Sequence, residues 1–485
     1  MQFTPKKSGA LFAAALLTSS IATALGGSPD TTTAADKKLV EPVIENNPLC
    51  FANDALCFDF QERARVEIRD NNYDFNSAVR SPTDGAWLLN RVRLGLMWTP
   101  TSWLQVYVQG QDSREFFSDR VKIPGLSGAE GFDSFDLRQA YVQVGNPEEY
   151  PLVLKAGRQA LSYGDERLIG EFDWNNFSRT FDAVKLSWQE KKWQLDAFVS
   201  SVVVIDRADF NTSDLFNGND NHRDQIFSGL YFTDHDVPWG TLELYTLWLS
   251  EANGNVSNMQ GAVSPTRPTT GAASRHSSFG TYGGHAHGDP NKLNGYEFDL
   301  EGAYQNGSFQ GLSLSAFAVH AGFGYHFDVP LKPRLWAEYN FASGDSNPND
   351  TNSETFQNLF PTNHKFYGYM DLIAWQNMHN PQISLQLTPM KNVTTELAYR
   401  AYWLASTNDV WYRANGLTAV RPLTPAAERA NNFLGSELDF LVNWKVNKHL
   451  SFQAGYSHFF TGPYLADTGP SDAANFGYVM ATVTF

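Results

Sequence analysis

From about Phe58 to the last residue, apolar and polar side chains alternate in short runs. That is the period-two signature of strands with one apolar and one wet face. In RARVEIRD, Ala64, Val66 and Ile68 share one face while Arg63, Arg65, Glu67 and Arg69 share the other. RVRLGLMW sets Val92, Leu94, Leu96 and Trp98 against Arg91 and Arg93. The split recurs in KLSWQ and QLDAFVS, and in YEFDLEGAY, where Tyr296, Phe298 and Leu300 oppose Glu297, Asp299 and Glu301. RLWAEYNF places Leu335, Ala337 and Tyr339 against Glu338, and TTELAYRAYW places Leu397, Tyr399 and Trp403 against Glu396 and Arg400. In SELDFLVNW, Leu438, Phe440, Val442 and Trp444 oppose Glu437, Asp439 and Asn443. No window of helical period dominates.

A soluble sandwich alternates as well, so three further features decide. The apolar faces carry aromatics near strand ends, the strands are too many for one sandwich, and short connections alternate with very long ones. Links at 99–102, 146–151 and 190–192 contrast with inserts at about 113–133, 251–292, 343–381 and 406–432. About 460 residues, at roughly 25 per strand with half its connections, make about 18 strands, within the range of bacterial single-chain barrels. The expected fold class is all-β: a porin-like transmembrane antiparallel β-barrel of about 18 strands occupying residues 58–485 as one domain. The closing run GYVMATVTF puts Val479, Ala481, Val483 and Phe485 on one face. A last strand ending in Phe485 reads as an assembly signal, with the barrel-assembly machinery as partner.

Upstream, Lys6 and Lys7 precede an apolar run from Ala10 to Leu25 that ends among small residues. This is the pattern of a secretory signal peptide, here residues 1–26. The run falls short of the ~20 residues of a spanning helix, and no Cys at the cut invites a lipid anchor. No later run of about 18 apolar residues occurs, so the exported chain is bound for the periplasm, the outer membrane or the medium. Residues 27–57 form a polar periplasmic lead-in, and Cys50 and Cys57, the only cysteines, suggest a small disulfide loop in an oxidising compartment. A net charge of −16 excludes a basic nucleic-acid footprint, and the 14% aromatic content suits interfacial girdles. Outer-membrane lipids are the expected surroundings, and no cofactor is expected.

The segments RLWAEYNFASGDSNPND, ETFQNLFPTNHKFYGYMDL, GSELDFLVNW and GYSHFFTGPYL, with KAGRQALSYGDERLIGEFDWNNFSRTFDAVKL earlier, resemble the alginate export family of outer-membrane barrels. The resemblance implies an 18-stranded barrel that passes an anionic polysaccharide, or fragments of one, through the outer membrane. Such a channel needs fixed positive charge at its narrowest point, because guanidinium groups grip carboxylates bidentately without losing charge. Strict alternation directs Arg63, Arg65, Arg69, Arg91, Arg93, Lys155, Lys185 and Arg400 inward, with Arg158, Arg167 and Arg179 of the family-like segment as further constriction candidates. Glu67, Asp196, Glu297, Asp299, Glu301, Glu338, Glu396, Glu437 and Asp439 point inward too, which departs from an overwhelmingly cationic lumen. The basic members cluster on early strands and the acidic ones, Glu297, Asp299, Glu301, Glu437 and Asp439 among them, on later strands. Two readings follow: opposed positive and negative arcs that orient polar solutes, or pairs that neutralise one another across the wall.

Other patterns carry less. Asp345, Asn347, Asn349 and Asp350 begin like a calcium loop, but Phe356 stands where a bidentate Glu is needed, so ordinary turn chemistry is expected. His276, His285 and His287 lie in a Gly- and Ser-rich stretch read as a flexible outer loop rather than a metal site. Nucleophile elbow, metalloprotease helix and phosphate loop are all missing. The leading expectation is an outer-membrane channel for anionic oligo- or polysaccharides such as alginate-type uronates. A general or small-solute porin comes next, then a surface enzyme or adhesin on a closed barrel.

Overall fold

The computed structural model describes residues 49–52, 54–79, 81, 83–120, 132–206, 210–213, 225–251, 276–416, 419–421, 423–424 and 427–485. The signal-peptide stretch and most of the lead-in lie outside the described residues. Strands run in order β1 (Cys50–Phe51), β2 (Leu56–Asp70), β3 (Gly85–Thr101), β4 (Leu104–Phe116), β5 (Asp133–Val144), β6 (Leu152–Gln159) and β7 (Phe181–Gln189). They continue through β8 (Trp193–Val202), β9 (Ile226–Asp234), β10 (Gly240–Glu251), β11 (Ser277–Gly288), β12 (Tyr296–Phe309), β13 (Leu312–His326) and β14 (Arg334–Ala342). The last are β15 (Asn352–Ser353), β16 (Met378–Met390), β17 (Val393–Leu404), β18 (Phe433–Lys445), β19 (Leu450–Thr461) and β20 (Ala474–Thr484).

Eighteen of these form one closed antiparallel barrel: β2 to β14 and β16 to β20, each paired with its neighbour along the chain. Closure comes from β2 against β20, in register from Gln61↔Thr484 to Asp70↔Asn475. No edge is left in the ring, which satisfies every backbone ladder inside a bilayer. The two-residue β1 folds back on β2 through Cys50↔Cys57, where the two cysteines form a disulfide.

The pleat sorts the side chains as their chemistry demands. On β2, Ile68 is 52% exposed on the outer wall while Arg65 is fully buried inside. Leu94 and Trp98 on β3, Tyr296 and Leu300 on β12, and Leu438, Phe440 and Trp444 on β18 likewise face outward. The termini of the barrel share the end with the short links, such as Lys391-Asn392 between β16 and β17, which marks that end as periplasmic.

One expected connection is corrected. The insert read at 251–292 contains a complete barrel strand, β11, in register with β10 from Glu251↔Ser277 to Gly240↔Gly288. Its glycines disguise it, and Gly283 shows why one is needed: a Cβ there would stand 2.6 Å from the Tyr245 hydroxyl and 2.4 Å from the Gly302 carbonyl. A second departure is the tight Gln310-Gly311 turn between β12 and β13 at the outer end, where porin-type barrels carry longer loops.

The interior is not an open tube. Two outer connections fold inward: residues 160–180 between β6 and β7, hereafter the strap, and residues 354–377 between β14 and β16. They meet in a short parallel bridge, Ile169↔Phe360, where Phe360 N–H donates to Leu168 O (2.9 Å) and Gly170 N–H to Phe360 O (2.8 Å). Phe360 is completely buried and packs edge-on against wall residues Phe181 (5.2 Å) and Phe227 (4.8 Å). Each such aromatic pair is worth ~0.5–1.5 kcal/mol beyond its area.

Candidate functional site

The strap presents charged side chains to two different parts of the wall, Arg167 to one and Asp173 to the other. Toward one wall, Arg167 is 2% exposed and its guanidinium lies 3.8 Å from Glu301, 4.0 Å from Asp299 and 3.7 Å from Asp165. It also contacts His320 Nε2 at 3.0 Å and stacks on Phe366 at 4.1 Å. Toward the other wall, Asp173 meets the arginines of β2 and β3: Arg93 at 2.8 Å, Arg91 at 3.1 Å and Arg63 at 4.0 Å. Confinement inside the barrel works to raise the Asp173 carboxyl. The guanidiniums of Arg91, Arg93 and Arg63 outweigh it and hold that carboxyl well below the usual carboxylate range.

The strap backbone is gripped as firmly as its charge. Arg63 donates to the carbonyls of Trp174 (3.1 Å) and Asn175 (3.0 Å), Arg65 to Trp174 O (2.5 Å), and Arg91 to Asp173 O (3.1 Å). Trp174 is stacked between Arg65 (3.8 Å) and His364 (3.8 Å). Arg138 on β5 pairs with Glu171 at 2.9 Å. Arg179 donates to Gly170 O (2.7 Å), Phe360 O (2.5 Å) and Pro361 O (3.0 Å), which ties the strap to the second inward segment. Charge-assisted bonds of this kind are roughly twice as strong as neutral ones.

The remaining sequence-derived candidates fall in several places. Arg69 pairs with Glu67 (3.3 Å) and donates to Met370 O (3.1 Å); Lys185 lies 3.4 Å from Asp196; Lys155 sits over the Tyr141 ring at 3.7 Å. Arg400 pairs with Asp439 and donates to Gln382 at 2.7 Å. Glu437 accepts from the Met370 amide at 3.1 Å. Glu297 holds Arg334 at 2.5 Å and His326 at 3.0 Å, while the Glu338 carboxylate accepts from Trp336 Nε1 (2.7 Å) and Asn340 (2.8 Å). Arg158 shares the face of Leu154 and Ala156, opposite the lumen set, and is bound bidentately by Asp182 at 2.9 and 3.1 Å.

His285 and His287 are corrected from flexible loop to β11. His285 bridges Glu243 (2.6 Å) and Asp299 (2.9 Å), and His287 reaches Asp299 at 3.2 Å. Asp345 to Asp350 form a turn in which Asn347 N–H donates to Asp345 Oδ1 at 2.8 Å.

Sequence reasoning did not see the strap as an element, and so missed Asp173, Trp174 and Glu171, the Arg138 and His364 that meet Glu171 and Trp174, and the His320 beside Arg167. A signal was present: YGDERLIGEFDWNNFSRT breaks the alternation between two good strands while remaining crowded with charges and aromatics. A connection that rich in such side chains has partners to meet.

A closed eighteen-strand antiparallel barrel with an apolar outer wall and inward-folded outer loops defines an outer-membrane porin-type protein of a Gram-negative cell. Residues 54–479 match the model of the alginate export family, and the chain belongs to that family. Among solved structures it resembles Pseudomonas aeruginosa OpdK with vanillate (TM-score 0.55, 12% identity, 89% of this chain and 99% of that one). It also resembles Pseudomonas aeruginosa OccK2 (OpdF) in complex with glucuronate (TM-score 0.54, 11% identity, 89% and 96%) and OccD3 (OpdP) of the same organism (TM-score 0.53, 11% identity, 89% and 91%). No curated protein matches it by sequence. Family and fold point to a transport channel.

Proposed function

We propose that this barrel is a selective outer-membrane channel for small anionic saccharides, uronate monomers and short oligomers, with the arginine arc of β2 and β3 as the carboxylate-recognising wall. The carrying observation is that Arg63, Arg91 and Arg93 converge on a single carboxylate, Asp173. Guanidinium clusters of this kind suit carboxylate recognition. The inward-folded segments favour short chains over a bulky polymer. Two structural relatives, solved with glucuronate and with vanillate, both hold a ring bearing a carboxylate, which agrees with this chemistry.

A general small-solute porin is the second reading. It is favoured by the partly exposed acidic residues Asp165, Glu166, Glu171 and Asp173 on the strap, which set negative charge beside the arginines.

Single-channel conductance and reversal potential of the purified protein, with and without sodium glucuronate and mannuronate oligomers, test the choice. Uronate block at micromolar to millimolar concentration with anion preference is expected. Strong cation selectivity and indifference to uronates would sink the anionic-saccharide reading and leave the general porin.

A further inference from the structure

A carboxylate inside a channel that recognises carboxylates raises the question of what that carboxylate does. Asp173 is not an ordinary buried counterion. Its side chain is 49% exposed while those of Arg91 and Arg93 are 1% and 7% exposed beneath it. Its Oδ1 accepts from Arg93 (2.8 Å) and from Ser178 Oγ (2.7 Å), and its Oδ2 accepts from Arg91 (3.1 Å). The carboxylate thus covers the two buried guanidiniums on their solvent-facing side.

The strap is held there by other atoms. Arg63, Arg65 and Arg91 bind the carbonyls of Asp173, Trp174 and Asn175, and Asn176 donates to the Asn90 and Arg114 carbonyls at 3.1 and 3.2 Å. Main-chain anchoring and the side-chain carboxylate are therefore separable. One can leave while the other stays. Three cations on one anion also leave charge for a second acid.

We propose that Asp173 is a built-in competitor for the channel's own anion site: its carboxylate occupies the Arg91 and Arg93 donors until the carboxylate of a passing solute displaces it. Arg91 and Arg93 then bind permeating anions by exchange rather than by filling an empty site. The resident carboxylate weakens binding enough for release, and it excludes anions that cannot present the same two-acceptor geometry to Arg91 and Arg93. This rests on the function proposed above for the choice of uronate as solute, but the exchange itself requires only a carboxylate or comparable anion.

The test compares wild type, Asp173→Asn and Asp173→Glu in planar bilayers, in potassium chloride with sodium glucuronate as the added probe. Unchanged heat-modifiable gel mobility certifies each barrel as folded. Removing the resident charge should raise chloride over potassium selectivity and tighten glucuronate block about tenfold, while Asp173→Glu stays near wild type. If Asp173→Asn becomes more chloride-selective but neither protein responds to glucuronate, the competitor stands and the uronate reading falls. If wild type is blocked by glucuronate and Asp173→Asn is blocked identically with unchanged selectivity, the competitor falls and the uronate reading stands. A several-fold jump in conductance with loss of selectivity would also overturn it, since that would make Asp173 an anchor of the strap.

Discussion

Replacing Arg167 by methionine should detach the strap from the acidic wall and open the pore. Methionine keeps most of the stem that packs on Phe366 but removes the guanidinium facing Asp165, Glu301 and Asp299 at 3.7, 3.8 and 4.0 Å. Removing one partner of a buried ion pair costs ~3–5 kcal/mol because the other charge is left behind. Here His285, His287 and His320 remain beside Asp299, and lumen water reaches part of the site, so ~2–3 kcal/mol is the better figure. At ~1.4 kcal/mol per factor of ten, the detached strap becomes ~30- to 150-fold more populated. Single-channel recording should show larger conductance steps and more open-state noise, with folded gel mobility retained because the strands are untouched. Arg167→Lys should recover part of the loss, since a point charge returns without the fork. A methionine variant with wild-type conductance, noise and selectivity would refute the idea that this end of the strap is held by charge.

Three further outcomes are expected. Because the Asp173 carboxyl is held low in the folded protein, its stabilising contribution is complete above the unfolded value of about 3.9 and is lost only as pH falls through the lower folded value. The selectivity difference between wild type and Asp173→Asn should therefore be flat between about pH 5 and 8, and a midpoint inside that window would contradict the assignment. Gly322→Val sets a Cβ 2.1 Å from the Trp336 ring, so the indole must swing into the lumen at a packing cost of ~1–3 kcal/mol. Reduced conductance with the barrel intact is the expected reading, and unchanged conductance with unchanged thermal stability speaks against it. Phe485→Ala removes a ring 4.6 Å from His449 and 6.4 Å from Phe60 but leaves the backbone pair with Phe60. Refolding in detergent should survive while the amount assembled in outer membranes falls several-fold, and normal membrane levels would argue against an assembly role.

Strand identity and face were readable because a barrel wall imposes one rule on each residue: apolar toward the exterior, polar toward the interior. Arg63, Arg65, Arg91, Arg93, Glu437 and Asp439 obey it, and alternation alone places them inside. It failed at β11, where Gly283, Gly284 and Gly288 satisfy the needs of neighbouring side chains instead of their own. Arg158 shows a second limit: near the outer rim a polar pair with Asp182 stands on the outward-parity face, where a face rule assumes apolar side chains. The strap was illegible for a different reason. Its geometry depends on contacts between residues nearly two hundred positions apart, such as Leu168 with Phe360, and no local period encodes them. The segregation of basic early strands from acidic late ones was visible in the sequence. Its meaning was not, because the charges answer to an element that lies between them.

The Ile169↔Phe360 bridge joins a segment made early in synthesis to one made late. Loop closure over such separations is slow and is not rewarded until both partners are in place. The two inward segments hang from connections far apart along the wall, β6 to β7 and β14 to β16, so they meet only once the wall has curved enough to bring those connections face to face. A late stage of biogenesis that is formed at the wall but still wide at the centre is the expected consequence. Defects in the inner layer should spare insertion and instead leave cells permeable to bulky toxic solutes, so antibiotic sensitivity rather than missing protein is the phenotype by which such lesions would be recognised.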